Sequence, residues 1–211
     1  MSKNQKSTVF LEIENTFKTI QFENITADRR LVLNSLSQYI QNQIDLKNDI
    51  RLNFICTHNS RRSHLAQIWM QTAAAYFGIK NIFCYSGGAE ATALFPVILT
   101  TLQKQGFQFS KLSENNNPVY ALKFGANQAA LILFSKKYDA LFNPTNNFAA
   151  ILTCTDADVG CPIVTGASAR IALPYDDPKQ YDNTPNQTVK YEERSLQIAT
   201  EMFFVLSQIK H

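Results

Sequence analysis

Between Ile50 and Tyr76 the chain passes from a strand-like apolar run, through a short polar turn, into a helical pattern. No other stretch restricts the fold as much. The β-prone run Ile50 to Ile55 delivers Cys56 to a strand end, and the helical pattern that resumes at Ser63 sets Arg62 at a helix start. Cys56-Thr57-His58-Asn59-Ser60-Arg61-Arg62-Ser63 is therefore a Cys-x5-Arg loop between a strand and a helix. Such a loop can hold a tetrahedral oxyanion, because successive backbone N–H groups, a helix N-terminus and a guanidinium fork converge on it. The same field favours thiolate over thiol in a cysteine placed there, which makes it a nucleophile. In this reading Arg62 clamps the anion, the Ser63 hydroxyl donates to the Cys56 sulfur, and Asn59 takes a left-handed backbone conformation that braces the turn.

The rest of the chain predicts a parallel sheet with crossover helices. A buried strand over Ile50 to Cys56 leads to a helix that turns Leu65, Ile68, Trp69, Thr72 and Tyr76 towards the sheet and ends near Gly78. A strand follows over Ile82 to Ser86, closed by Gly87 and Gly88, then a helix over Phe95 to Gln105 with Pro96 in its first turn. Further strands are expected over Val119 to Phe124, Ala130 to Phe134, Phe148 to Thr153 and Arg170 to Leu173, with a loop over Lys136 to Asn147. Thr188 to Ile209 reads as a closing helix with Leu196, Ala199, Phe203 and Leu206 on its buried face. Ahead of this core, Val9 to Ile20 and Ala27 to Ile44 carry helical spacing. Asp28 is expected as the cap of the second helix, and Leu31, Leu36, Tyr39, Ile40 and Ile44 lie on one face. Residues 1 to 48 are read as an N-terminal helical extension that stabilises or dimerises, and residues 49 to 211 as the catalytic α/β domain.

Composition excludes several classes. At 211 residues, 45% apolar and 18% charged, the chain is an ordinary globular one with no apolar run long enough to cross a bilayer. No membrane partner is expected. The polar start Met1 to Ser7 lacks a secretory segment, so the expected location is cytoplasmic. Net charge is +3 with scattered basic residues, whereas a nucleic-acid binder shows a basic stripe. The four cysteines, Cys56, Cys84, Cys154 and Cys161, match no zinc spacing, and no metal or bound cofactor is expected. Cys84 lies in an apolar strand and reads as core, while His64, in the first helical turn, reads as a surface residue.

Two further constellations carry chemistry. Asp177-Pro178 offers a carboxylic acid on a late loop, the group a thiolate enzyme needs to protonate a departing oxygen. Cys154-Thr-Asp-Ala-Asp-Val-Gly-Cys161-Pro sets two cysteines in a small, polar segment straight after a strand. A purely hydrolytic thiolate enzyme needs no such pair, whereas one that passes two electrons to its substrate must end the cycle in a disulfide.

The Cys56 loop resembles that of the low-molecular-weight tyrosine phosphatases, and of the arsenate reductases that share their fold, in which Cys-x-x-Asn-x-x-Arg-Ser opens the chain. It looks closest to variants with His-Asn in the middle, as in His58-Asn59, and departs from many members at Arg61, where they have a second cysteine. The resemblance covers roughly Ile50 to Pro178. It implies a three-layer open parallel α/β sheet, an oxyanion loop made of Thr57, His58, Asn59, Ser60, Arg61, Arg62 and Ser63, and Asp177 as general acid. The Cys154 segment resembles the redox helix of thioredoxin-coupled arsenate reductases. That likeness implies a relay from Cys56 to Cys154 to Cys161, with external thioredoxin as reductant. Some relatives bind potassium beside the loop through Asn, Glu and Ser; Asn59 and Ser86 match, and Gln67 stands where Glu is expected. The substrate is then arsenate or a phosphate ester. A phosphatase using only Cys56, Arg62 and Asp177, or a module that binds a phosphorylated partner, remains open.

Overall fold

A computed structural model describes residues 8 to 155 and 164 to 210. In chain order the elements are helices α1 (Leu11–Lys18) and α2 (Ala27–Asp45), strand β1 (Ile50–Cys56), helix α3 (Arg62–Phe77), strand β2 (Ile82–Gly88) and helix α4 (Pro96–Lys104). Strands β3 (Gln108–Lys111), β4 (Tyr120–Lys123), β5 (Leu131–Leu133), β6 (Phe148–Leu152) and β7 (Ala167–Ala172) follow, and α5 (Gln187–Ser207) closes the described chain. β2, β1, β6 and β7 form a parallel sheet in that order. This is the α/β sheet expected from the strand and helix pattern. β3, β4 and β5 make a separate antiparallel sheet.

Every residue of β6 is buried, and all of β1 but Arg51, which is why both read as continuous apolar runs. Alternate side chains serve opposite faces. Leu52, Phe54, Ala149 and Ile151 join the large core with α3, α4 and α5, while Ile55, Phe148, Ala150 and Leu152 form a second cluster with Cys56, Cys154 and Val164. Cys56 and Cys154 thus lie in the smaller cluster, with Tyr138 packed against it.

The N-terminal helices pack into the large core. Ile13, Leu33, Leu36 and Ile40 are fully buried and belong to the same cluster as the sheet and α5. Each such side chain contributes roughly 1.5–3 kcal/mol. Phe17 stacks among Trp69, Tyr76 and Phe203. Two local expectations need correction. The α2 cap is Thr26, whose hydroxyl accepts from the Arg29 N–H at 3.3 Å, and Asp28 lies inside the first turn. Leu31 points to solvent, because α2 buries the face centred on Leu33, Leu36 and Ile40.

Helix α3 ends on Gly78 in the left-handed conformation, as the glycine predicts. It is buried nearly all round from Arg62 to Ala74. His64 is therefore a core residue, not a surface one. Its position in a helix clamped between sheet and α5 leaves no solvent-facing side in the first two turns.

Candidate active site

β1 ends at Cys56 and α3 begins at Arg62, so the polar turn between them is pinned at both ends by the core. The loop carbonyls are held by neighbouring groups. The Cys56 carbonyl accepts from Ala89 N–H (3.2 Å), Thr57 from Glu90 N–H (2.8 Å), and Ser60 from Phe95 N–H (3.1 Å). The His58 carbonyl accepts from the hydroxyls of Thr92 (3.2 Å) and Ser135 (2.9 Å). A trans peptide points its N–H opposite to its carbonyl. The N–H groups of Thr57, His58, Asn59 and Arg61 consequently point away from those partners, as an anion held by the loop would require. Gly88 makes the turn's close approach to β2 possible: a Cβ there would lie 2.6 Å from Asn59 N and 2.8 Å from the Thr57 carbonyl oxygen.

Asn59 adopts φ +45°, the left-handed conformation expected of it. Its Oδ1 accepts from the Lys136 N–H at 2.9 Å, which fixes the amide's orientation, and its Nδ2 donates to Ser63 Oγ at 2.9 Å. Ser63 Oγ lies 3.1 Å from Cys56 Sγ. The bond from Asn59 takes up one lone pair of that oxygen and leaves its own hydrogen available to the sulfur.

Arg62 is nearly buried. Its Nη1 donates to the Tyr175 carbonyl (3.0 Å) and its Nη2 to Asp177 Oδ2 (2.6 Å). Nε is buried with no protein partner among the described residues. The other Asp177 oxygen accepts from Lys179 N–H (3.0 Å) and caps the 3-10 turn Pro178–Tyr181. The structure thus brings Cys56, Ser63, Arg62 and Asp177 together.

Cys154 is fully buried, one residue beyond the bond from Thr153 N–H to the Ile55 carbonyl (2.7 Å) that ties the ends of β6 and β1. Its sulfur is 3.5 Å from Thr57 Oγ1. Cys56, Cys84 and Cys154 are thiols. Burial pushes the Cys84 thiol up, in keeping with a core role. Cys161 lies outside the described residues.

The remaining loop side chains contact neighbouring segments. Arg61 turns away from the turn: Nε donates to the Tyr191 hydroxyl and Nη2 to Asp182 Oδ2, both at 2.6 Å, with the guanidinium 4.0 Å from the Phe95 ring centre. Burial and the hydrogen bond to Asp182 push the Tyr191 phenol up, so it stays neutral. The Ser60 hydroxyl donates to the Ala93 carbonyl (2.7 Å), and His58 Nε2 is 3.7 Å from Glu90 Oε2 at the mouth. Sequence reading missed Tyr175, Asp182, Tyr191 and Lys136, which carry no motif and are recruited from distant segments.

Lys136 lies under the loop. Its Nζ bonds the Phe134 carbonyl (3.3 Å) and sits over the rings of Phe134 and Phe142. Burial lowers its pKa to about 8. His64 Nδ1 is 3.3 Å from Ser86 Oγ, and burial, then the Lys136 charge, hold the ring well below its usual range and neutral at pH 7. These contacts do not fit a potassium ion. The side chains of Asn59 and Ser86 are engaged and a lysine charge borders the same region, although Gln67, whose Nε2 donates to the Cys84 carbonyl (3.0 Å), leaves its Oε1 buried without a protein partner among the described residues.

The lysine makes a testable statement about stability. Its folded pKa lies below the unfolded value, so the unfolded chain binds more protons between about pH 8 and pH 10.4, and stability rises with pH across that window. Below it the cost of burying the charge is borne in full, offset in part by the two aromatic rings. Lys136→Met should therefore stabilise by about 1–2 kcal/mol at pH 7. Urea melts at pH 7 and pH 10 check this: the gain should shrink at the higher pH, and an equal gain at both would contradict the assignment.

No protein-family model matches the sequence, and no curated protein matches it. Solved structures do. A low-molecular-weight protein tyrosine phosphatase from T. tengcongensis superposes with a TM-score of 0.52 at 12% identity, covering 76% of this chain and 99% of that one. A low-molecular-weight phosphotyrosine phosphatase from Vibrio cholerae gives 0.50 at 11% identity, covering 75% and 94%. A looser likeness, 0.49 at 16% identity, covers 74% of this chain and 99% of an arsenate reductase from Archaeoglobus fulgidus. With its β2-β1-β6-β7 parallel sheet and the Cys56 loop between β1 and α3, the chain has the fold of the low-molecular-weight tyrosine phosphatases.

Proposed function

We propose that the chain is a thiolate enzyme acting on a tetrahedral oxyanion, and that its reaction is the reduction of arsenate to arsenite. The observation that carries the choice is Cys154, buried in one cluster with Cys56 and 3.5 Å from the residue that follows it. Cys56 thiolate attacks arsenate held by the loop amides and Arg62, and Asp177 protonates the oxygen that leaves as water. Cys154 thiolate then attacks the Cys56 sulfur; a Cys56–Cys154 disulfide forms and the arsenic departs as arsenite with the electron pair of the broken S–As bond. Cys161 attacks Cys154, freeing Cys56 and leaving a Cys154–Cys161 disulfide that the dithiol of thioredoxin reduces. Because Cys154 starts buried, its segment moves during turnover. The thiols of this cycle suit a reducing cytoplasm. No helix among the described residues is long and apolar enough to cross a membrane.

A second reading has its own observation. Cys56, Ser63, Arg62 and Asp177 are assembled without any use of Cys154, which is all that hydrolysis of a phosphate monoester through a phosphocysteine needs. The deciding measurement pairs arsenate-dependent NADPH consumption, in the presence of thioredoxin and thioredoxin reductase, with hydrolysis of p-nitrophenyl phosphate. In Cys154→Ser the first should vanish and the second persist. A variant that still reduces arsenate over many turnovers, or a wild type active only on the phosphate ester, would sink the reductase reading. Inactivity in both assays would leave a phosphate-binding module.

A further inference from the structure

We infer that Arg29 and Glu201 are a positioning pair through which the N-terminal helices orient Arg62 and Asp177. The inference rests on the oxyanion role proposed for the Cys56 loop, and it gives a task to the segment that precedes β1. Arg29, on α2, donates from Nε and Nη2 to the two oxygens of Glu201 on α5, at 2.9 and 2.8 Å. Glu201 is almost wholly buried, and its Oε2 also accepts from the Tyr175 hydroxyl at 2.7 Å. The Arg29 guanidinium lies 4.7 Å from the centre of the Tyr175 ring. Tyr175 is thus gripped on its edge by Glu201 and on its face by Arg29.

The backbone of that same tyrosine serves the active site. Its N–H donates to the Thr153 carbonyl (3.1 Å), next to Cys154, and its carbonyl accepts from Arg62 Nη1 (3.0 Å). Two residues on, Asp177 takes the other Arg62 terminal nitrogen. The orientation of Arg62 is therefore set by two acceptors on one short segment, and the side chain that anchors this segment is held from α2 and α5. The Tyr175 ring and Leu173 belong to the large core, and an open pocket of about 560 Å³, lined by Arg29, Tyr175, Asp176, Arg194 and Glu201 among others, borders the segment.

A buried ion pair is weak evidence of stabilisation, since two apolar side chains of similar volume commonly do as well. What apolar side chains cannot do is accept the Tyr175 hydroxyl. The pair therefore acts on geometry, through Tyr175, without touching the oxyanion. The double variant Arg29→Met/Glu201→Met isolates this, because it removes both charges and leaves neither one buried alone. Tyr175→Phe removes only the hydroxyl and keeps the ring.

The experiment measures alkylation of Cys56 by iodoacetamide with increasing inorganic phosphate, and backbone hydrogen exchange across residues 173 to 182, on the full chain. In both variants phosphate should protect about tenfold more weakly, exchange in 173 to 182 should accelerate, and alkylation without phosphate should stay near the wild-type rate. Combining the three substitutions should cost no more than either variant alone, since they break one chain of contacts. A lowered melting temperature with wild-type protection and exchange would mean a merely structural pair and overturn the inference. If the double variant does not fold, Tyr175→Phe decides by the same two readouts. If phosphate fails to protect even the wild type, the oxyanion reading falls, and unchanged exchange in 173 to 182 would separately dismiss the pair.

Discussion

Cys56→Ser is expected to abolish both arsenate reduction and phosphate-ester hydrolysis, by about 10⁴-fold or more, while leaving the melting temperature close to wild type. The side chain sits at the end of a strand buried in the sheet, with Ser63 Oγ 3.1 Å from its sulfur, so an oxygen in its place meets the same neighbours. What changes is nucleophilicity. Among the described residues no base stands in hydrogen-bond contact with Cys56; its partner there is the Ser63 hydroxyl, which can donate to an existing thiolate but cannot ionise an alcohol. Initial rates of both reactions and a thermal melt check this. Retention of more than about a hundredth of either activity would move the nucleophile elsewhere.

The second large effect is expected at Arg62. Arg62→Lys should lower kcat/KM by about 10²–10³-fold although the charge is kept. The guanidinium spans two acceptors set by different atoms of the acid loop, the Tyr175 carbonyl and Asp177 Oδ2, and in the proposed function its Nε, without a partner among the described residues, is the donor left for the anion. A point-charge ammonium on a flexible stem cannot hold all three directions at once. Asp177 loses its fixed partner in the same step, so the loss should appear in kcat as well as in KM. Steady-state kinetics of p-nitrophenyl phosphate hydrolysis separate the two, and a variant within tenfold of wild type on both constants would count against the clamp.

Much of the site is written in one contiguous stretch, which is why it could be read from the chain. Cys56, Asn59, Arg62 and Ser63 act within one turn, and their geometry follows from a strand that must end and a helix that must begin. The left-handed backbone at Asn59 and the cap at Gly78 belong to the same local class. Where the signal was not local, reading failed. β3 shows no apolar alternation, because none of its four side chains is buried and only its backbone pairing with β4 makes it a strand. His64 has the composition of a surface position, and only the burial of α3 on all sides puts it in the core. Arg61, next to Arg62, belongs to the expected oxyanion loop, and nothing local shows where its side chain goes. It is drawn away by Asp182 and Tyr191, more than a hundred residues further on.

By itself the sequence determined the parallel α/β core and the Cys56 loop between a strand and a helix. Apolar periodicity, glycine caps and a strand-to-helix turn act over a few residues and need no partner to be recognised. Tertiary structure alone decided where the Arg61 side chain goes, which segment orients Arg62, and that Cys154 lies against Thr57. Those choices are made by hydrogen bonds and burial between residues far apart in the chain, whose cost or gain exists only once the sheet has brought their ends together.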